Sequence, residues 1–297
     1  MTIINIEGPS QLATREKGPL DKPTNHMSVG KLERLLLARY PREDAEEWDR
    51  TGLLVGDPAA PLSGIACALD PTVEAVRTAH AKGANVLLTH HPVFLEPPSA
   101  FSSDRTRASE AGATVFEAAR LGVALMNFHT ALDVSHDAQC VLPGLLSLEF
   151  ESVVEPLEHD RTKGYGQLCS VRATDAPMSV SQLASRCLSV FGRPGRVWGD
   201  MSKKLSKVVT ATGSASSLLD SCLKAGADCI VCGEVKYHAA LDATQAGLAI
   251  VELGHDVSEL PLARVLAVSA VEEGVDSSSV SVLEQGSNWD TVESTRL

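Results

Sequence analysis

The stretch Gly83-Ala-Asn-Val-Leu-Leu-Thr-His-His-Pro92 sets the reading of the whole chain. A glycine stops what precedes it, a short unbroken apolar run reads as a strand buried on both faces, and that strand runs directly into two histidines. Upstream, Ile65–Leu69 is a second such strand, with an amphipathic helix over Pro71–Lys82 between the two. Downstream, a helix over about Thr106–Leu121 leads to the strand Val123–Asn127, which runs into His129. At the front, Ser28 caps a helix carrying Leu32, Leu35 and Leu36 on one face and ending before Pro41, and Gly52–Gly56 is a short strand. Strands alternating with helices predict an α/β fold around a largely parallel sheet.

The second half repeats the pattern. Tyr165–Val171 is a strand, Ser179 caps a helix to about Phe191, and Val197-Trp198 opens a strand region. Lys207–Thr212, Cys229–Cys232 and Leu248–Val251 are strands separated by helices over Ser216–Lys224 and Lys236–Ala246, and the last strand leads to Gly254-His255. A shift of 143 places Ile65 on Val208, Gly83 on Gly226 and Val86 on Cys229. Met27-Ser-Val29 answers to Met178-Ser-Val180, and Gly122-Val-Ala-Leu125 to Gly247-Leu-Ala-Ile250. The expected architecture is two similar, duplicated α/β lobes facing each other across a cleft, residues 28–150 and 151–270. Residues 1–27 have no helical or strand period and are expected to form a flexible arm. Residues 271–297 carry Glu272, Glu273, Asp276, Glu284, Asp290 and Glu293 around a serine run, which predicts an acidic, solvated and disordered tail.

The 297 residues include 44% apolar and 22% charged side chains, which excludes a chain disordered throughout. A net charge of −12 argues against a duplex nucleic-acid partner, whose phosphates call for clustered Lys and Arg. No apolar run reaches the length of a membrane span, and the first residues lack the pattern of a signal peptide, so the expected address is cytoplasmic with no membrane partner. Seven cysteines, an odd number, suggest no disulfide framework. Cys229-x-x-Cys232 lies inside an apolar run, where thiols act as small hydrophobes.

His90, His91, His129 and His255 all lie just past the end of an expected buried strand, where α/β sheets bind their ligands. His129-Thr-Ala-Leu-Asp133 and His255-Asp-Val-Ser-Glu259 share the spacing His-x-x-x-carboxylate, which brings both groups to one face if the turn is helical. Four imidazoles and two carboxylates exceed what one tetrahedral ion needs. Two divalent ions bridged by Asp133 or Glu259 use them economically. The N/O donor set suits zinc, iron or manganese, among other metals, and does not choose between them.

Glu47-Trp-Asp-Arg-Thr-Gly-Leu-Leu-Val-Gly56, Thr89-His-His-Pro92, Asn127-Phe-His-Thr-Ala-Leu-Asp133, Gly233-Glu-Val-Lys-Tyr-His238 and Gly254-His-Asp-Val-Ser-Glu259 resemble, in order, the motifs of the Nif-three-like family. That family is also labelled GTP cyclohydrolase type-two-like, or dinuclear metal-binding. The resemblance covers about Ser28–Val268 and implies two α/β lobes, a dinuclear site in the cleft and a ring-shaped homohexamer. Carried over by motif, it implies His90, His91, Asp133, His255 and Glu259 as metal ligands, with His129 at or beside the ions. Arg50 stands where the family usually has Asn, and Tyr237-His238 where it often has two histidines.

The first functional expectation is a dinuclear-metal-dependent hydrolase, with metal-bound hydroxide attacking a nucleotide or related small substrate. Glu259 would shuttle protons, but a carboxylate bridging two ions is a poor base, which leaves His129 and Glu234 as alternative proton carriers. The second is a non-catalytic metal-binding scaffold for storage, delivery or regulation, built from the same ligands. A turn at Gly213-Ser-Ala-Ser-Ser217 and the basic residues Arg196, Lys203, Lys204 and Lys207 are the remaining places where an anion could rest. Lys236, Tyr237 and His238 follow Glu234 closely enough to suggest substrate contacts, and Trp48 reads as a packing anchor.

Overall fold

A computed structural model describes residues 27–286 and Trp289. The first part of the chain forms α1 (Val29–Arg39), β1 (Gly52–Val55), β2 (Ile65–Ala68), α2 (Val73–Ala81), β3 (Val86–Thr89), α3 (Glu110–Leu121) and β4 (Ala124–Asn127). Three short helices follow, α4 (Thr130–Asp133), α5 (His136–Gln139) and α6 (Val141–Leu145). Then come β5 (Leu148–Pro156), β6 (Gly164–Val171), β7 (Met178–Ser179), α7 (Val180–Phe191), β8 (Arg196–Trp198), β9 (Lys204–Leu205) and β10 (Lys207–Thr210). The chain continues with α8 (Leu219–Lys224), β11 (Cys229–Cys232), α9 (Tyr237–Gln245), β12 (Ala249–Glu252), α10 (His255–Glu272) and β13 (Val280–Val282).

The fold is mixed α/β, built on two main sheets ordered β1-β4-β3-β2-β13 and β5-β6-β10-β11-β12-β8. In the first, β2, β3 and β4 are parallel and β1 runs antiparallel along β4. In the second, β10, β11 and β12 are parallel and β8 runs antiparallel along β12. Ile65 pairs with Val86 in one sheet, and Val208 with Cys229 in the other, so the register read from the sequence is kept in the pairing. β2, β3, β4, β11 and β12 are buried along their full length because core lies on both faces of each sheet. Ser28 and Ser179 both cap their helices as expected, the latter in a reciprocal box with Gln182. The helix expected from Thr106 begins four residues later, at Glu110, where the Ser109 hydroxyl accepts from Gly112 N–H.

The boundaries expected at 150 and 270 do not match the packing. α10 leaves the second sheet at β12, yet Leu262, Leu266 and Ala270 sit in the first sheet's core beside Leu32, Leu36 and Tyr40. In the other direction, Leu146 and Leu148 join Val208 and Val251 in the core of the second. The segment expected as a disordered tail also needs correction. β13 pairs in parallel with β2, and Leu283 is buried. The alternation Val280-Ser-Val-Leu283 is too short to stand out among serines and acids, and only the open edge of β2 gives it a place. Residues 1–26, 287–288 and 290–297, which hold most of the expected arm and the end of the tail, lie outside the described residues.

Because α10 is rooted in the second sheet and buried against the first, the two parts should unfold together. Leu266→Ala is expected to cost about 2–5 kcal/mol while keeping one cooperative transition in chemical denaturation. Two separate transitions in the variant would contradict this packing.

Candidate metal centre

The C-terminal ends of the parallel strands deliver the histidines. β3 ends at Thr89, and His90 and His91 follow; β4 leads through Phe128 to His129; β12 leads through Leu253 and Gly254 to His255. α4 carries Asp133 one turn beyond His129, and α10 carries Glu259 one turn beyond His255. The helical turn assumed for both His-x-x-x-carboxylate motifs is therefore present.

Each imidazole is held at Nδ1. His90 Nδ1–H donates to the Phe128 carbonyl at 3.2 Å, His91 to Asp70 Oδ1 at 2.8 Å, His129 to Asp49 Oδ1 at 3.0 Å, and His255 to Glu234 Oε1 at 3.0 Å. This fixes the tautomer and leaves Nε2 as the inward donor atom, the arrangement by which metal-binding histidines are oriented. Asp49 is itself tied down by the N–H and hydroxyl of Thr130.

The Nε2 atoms converge on two carboxylates. His91 Nε2 lies 2.9 Å and His255 Nε2 3.0 Å from Glu259 Oε2. His90 Nε2 lies 3.7 Å from Asp133 Oδ1 and 3.8 Å from Glu259 Oε1. Three groupings have ligand atoms within 4.8 Å of one another: His90 with His91 and His129, His91 with His255 and Glu259, and His90 with Asp133 and Glu259. His90 Nε2 and Glu259 Oε2 are sealed from solvent without a hydrogen-bond partner. A buried imidazole nitrogen without a hydrogen-bond partner, set 3.7 Å and 3.8 Å from two buried carboxylates whose other nearest groups are further imidazole nitrogens, costs several kcal/mol unless a cation lies among them. The residues therefore fit a metal ion.

The ionisation of the side chains agrees. Burial pushes the Asp133 carboxyl up, against the pull of His90. Burial also opposes the charge on Glu259, but His255, His90 and His91 outweigh it and hold the carboxyl well below its ordinary value. Burial alone would lower His91, yet Asp70 and Glu259 raise it to about 10. Glu259, then Glu234, raise His255 to about 9 against burial.

The second sheet shapes the floor. Thr212 Oγ1 donates to Asp133 Oδ1 at 3.0 Å, across the cleft. Gly213 has φ +58°, and a Cβ there would lie 2.3 Å from Glu259 Oε1, so only glycine lets the backbone pass this close. Above the centre opens a cavity of about 520 Å³, whose walls include Glu46, Trp48, His129, Glu155, Tyr165, Ser214 and Ser217. Trp48 is not a packing anchor; it is 55% exposed, with its ring edge-on to His129 at 5.8 Å. It lies on the strand-flanking loop, where no core neighbour covers it.

All six expected ligands are brought together here. Glu234, read as a proton carrier, is occupied in orienting His255. Tyr237 points away and packs edge-on against Trp198. Arg196 pairs with Glu252 and Lys203 with Asp228, so these basic residues serve the second sheet's rim. Cys229 and Cys232 are buried in β11, as hydrophobes. The sequence reading missed Asp49 and Asp70 as the groups that orient His129 and His91. Asp70 lies at the end of the β2 strand, where the rule that found the histidines applies equally to an acid. Asp49 has no local spacing to His129 that would mark it.

With His91 raised to about 10 and His255 to about 9 by the neighbouring carboxylates, a metal ion binding at neutral pH would have to displace their protons. Apparent affinity should rise as pH rises through 7 to 9, by up to about tenfold per unit for each proton displaced. Calorimetric titration in buffers of different ionisation enthalpy should show proton release on binding, and none at all would refute this reading of the two imidazoles.

Comparison with known proteins identifies the family of the chain. The family model described as Duf34/NIF3 (NGG1p interacting factor 3) matches residues 27–285. A Streptomyces coelicolor protein named GTP cyclohydrolase 1 type 2 homolog is 31% identical over 233 residues, 75% of this chain and 79% of that protein. Among solved structures, the Staphylococcus aureus hypothetical protein SA1388 superposes with a TM-score of 0.81 at 21% identity, covering 90% of this chain and 100% of that one. A Bacillus cereus protein related to NIF3 gives 0.80 at 19% identity, over 91% and 100%. With a family model that spans the two sheets and the histidine centre between them, the chain belongs to the Duf34/NIF3 family.

Proposed function

We propose that the chain is a hydrolase that works with two divalent metal ions, zinc, iron or manganese, on a nucleotide or related small molecule. The observation that carries this reading is the pair of groupings that share Glu259, one with His91 and His255 and one with His90 and Asp133, beside an open cavity. A shared carboxylate is how two cations are held about 3.5–4 Å apart. The names of the curated relatives support a nucleotide-type substrate. The cavity volume falls within the range of small-molecule sites.

Ions held there would supply Lewis acidity and make a water nucleophilic near neutral pH. The protein's own groups do the rest. His129 lines the cavity with its Nδ1 held by Asp49, so its Nε2 can ligate or can take and return a proton at the reacting centre. Glu259 is enclosed among three imidazoles and acts as a ligand rather than as a free base. Glu234 and Asp70 keep His255 and His91 in register. Ser214 and Ser217 offer hydroxyls, and Trp48 offers a flat apolar surface at the cavity wall.

We also propose self-association as a ring-shaped homohexamer and a cytoplasmic address. Leu145 and Val268, exposed beside each other's helices α6 and α10, suit a contact between copies. No helix among the described residues is long and apolar enough to cross a membrane.

Elemental mass spectrometry on protein purified without chelator or affinity metal is expected to find about two ions per chain. Both should be lost in the His90→Ala/Glu259→Ala double variant. Turnover of GTP or of phosphoesters should then require the metal found. Two ions without turnover on either class would favour the storage or delivery scaffold, and a chain that takes up no metal would refute both readings.

A further inference from the structure

The segment after α10 reaches the metal centre. β13 lies along β2, and Leu283 N–H extends the pairing by donating to the Cys67 carbonyl at 2.8 Å. Gln285 then turns its side chain onto the end of β2. Its Oε1 accepts from the N–H groups of Leu69 at 2.7 Å and Asp70 at 2.9 Å, and its Nε2 donates to the Asp70 carbonyl at 2.8 Å. One amide thus continues the sheet where β13 has ended. On the other side, His91 N–H donates to the Leu69 carbonyl at 3.0 Å. The backbone at Leu69-Asp70 is therefore held from both flanks, by Gln285 and by the metal-facing loop itself.

Asp70 needs that support more than two of its counterparts do. The Asp49 side chain, which orients His129, is fully enclosed, and the Phe128 carbonyl that orients His90 is part of the buried backbone. The Asp70 side chain, by contrast, is 32% exposed. It accepts a hydrogen bond from His91 Nδ1–H, and the Nε2 of the same ring meets Glu259 Oε2. A ligand set works only when its supporting shell fixes it to within about half an ångström.

We infer that Gln285 is a positioning residue of the metal centre, clamping Leu69-Asp70 so that Asp70 holds His91 in its ligand orientation. This inference rests on the reading of the centre as a metal site. It makes the C-terminal segment part of the site rather than an appendage of the sheet.

The test uses Co²⁺ as probe on the full chain, comparing wild type with Gln285→Met, which keeps length and bulk but removes all three hydrogen bonds. Affinity is measured by calorimetry and ligand geometry by the visible absorption of bound Co²⁺, with thermal melting alongside. The same substitution is made in an Asp70→Ala background. Gln285→Met is expected to weaken Co²⁺ binding about tenfold and to shift the spectrum. In the Asp70→Ala background it should have no further effect, because the group it acts through is gone. β13 and the buried Leu283 keep the segment seated, so the melting temperature should move little. Wild-type affinity and spectrum in Gln285→Met would overturn the inference. So would a lower melting temperature with an unchanged spectrum, or an equal loss in both backgrounds. A wild-type chain that takes up no Co²⁺ would instead overturn the metal reading itself.

Discussion

Two carboxylates and four imidazole nitrogens meet at a point where the protein supplies few hydrogen bonds to satisfy them, and the structure around that point is arranged to hold them there. Asp133 receives one hydroxyl, from Thr212, Glu259 Oε2 meets only the Nε2 atoms of His91 and His255, and His90 Nε2 has no hydrogen-bond partner. Like charges this close, shielded from water, repel strongly and are stable only beside positive charge. Without a metal ion, protons on His91 and His255 would supply that charge, since the neighbouring carboxylates raise both imidazoles above their ordinary value. Protons and metal ions are thus alternative occupants of one electrostatic need. A metal ion that bound there would replace protons, so the buried carboxylates would not be left bare in either state.

That need is met by topology. Parallel strands bring their C-terminal ends to the same edge, so a single sheet can present His90, His91 and His129 from adjacent strands at close spacing. One sheet alone does not complete the set. Glu259 and His255 come from the second sheet on the first turns of α10, and the rest of that helix runs under the first sheet to pack Leu262, Leu266 and Ala270 against β2 and α1. The same helix carries ligands at one end and interlocks the cores at the other. The separation between the sheets, and with it the distance from Glu259 to His90, is therefore set by close-packed side chains rather than by a hinge.

The strand-end histidines and the repeated parallel core were legible because they rest on local patterns: apolar runs of four or five residues, helix caps, and an i,i+4 spacing. What escaped depends on partners distant in sequence. β5 was not anticipated, since the bulge between Phe150 and Ser152 breaks the alternation that would have marked a strand. α10 was obscured by Pro261 and Arg264 inside its apolar stretch, and its packing across to the first sheet has no local signature. Asp49 lies 80 residues from His129. Gln285 and Asp70 are 215 apart, and nothing in the composition of the last thirty residues singles out a glutamine among acids and serines. Ligands announce themselves by residue type, whereas the groups that aim them are recognised only by what they touch.

The cavity has a polarity that bears on how a substrate would lie in it. Its floor is the cluster of imidazoles and carboxylates that could hold a metal ion; its wall carries Glu46 and Glu155, with the Tyr165 hydroxyl donating to Glu46 at 3.1 Å. Burial, and after it the charge of Glu46 and Asp133, pushes the Tyr165 phenol far above its ordinary range. A molecule that fits both ends places its electron-rich, electrophile-bearing group at the floor and N–H donors at the wall. Under the proposed function, a cyclic amide or a purine-type base, rich in N–H and polarised at a ring carbon, would satisfy this orientation. A chain of phosphates directed at the wall would meet carboxylates and be repelled. If a nucleotide is the substrate, the base or the reacting phosphate must face inward, and the remaining charge must lie toward solvent.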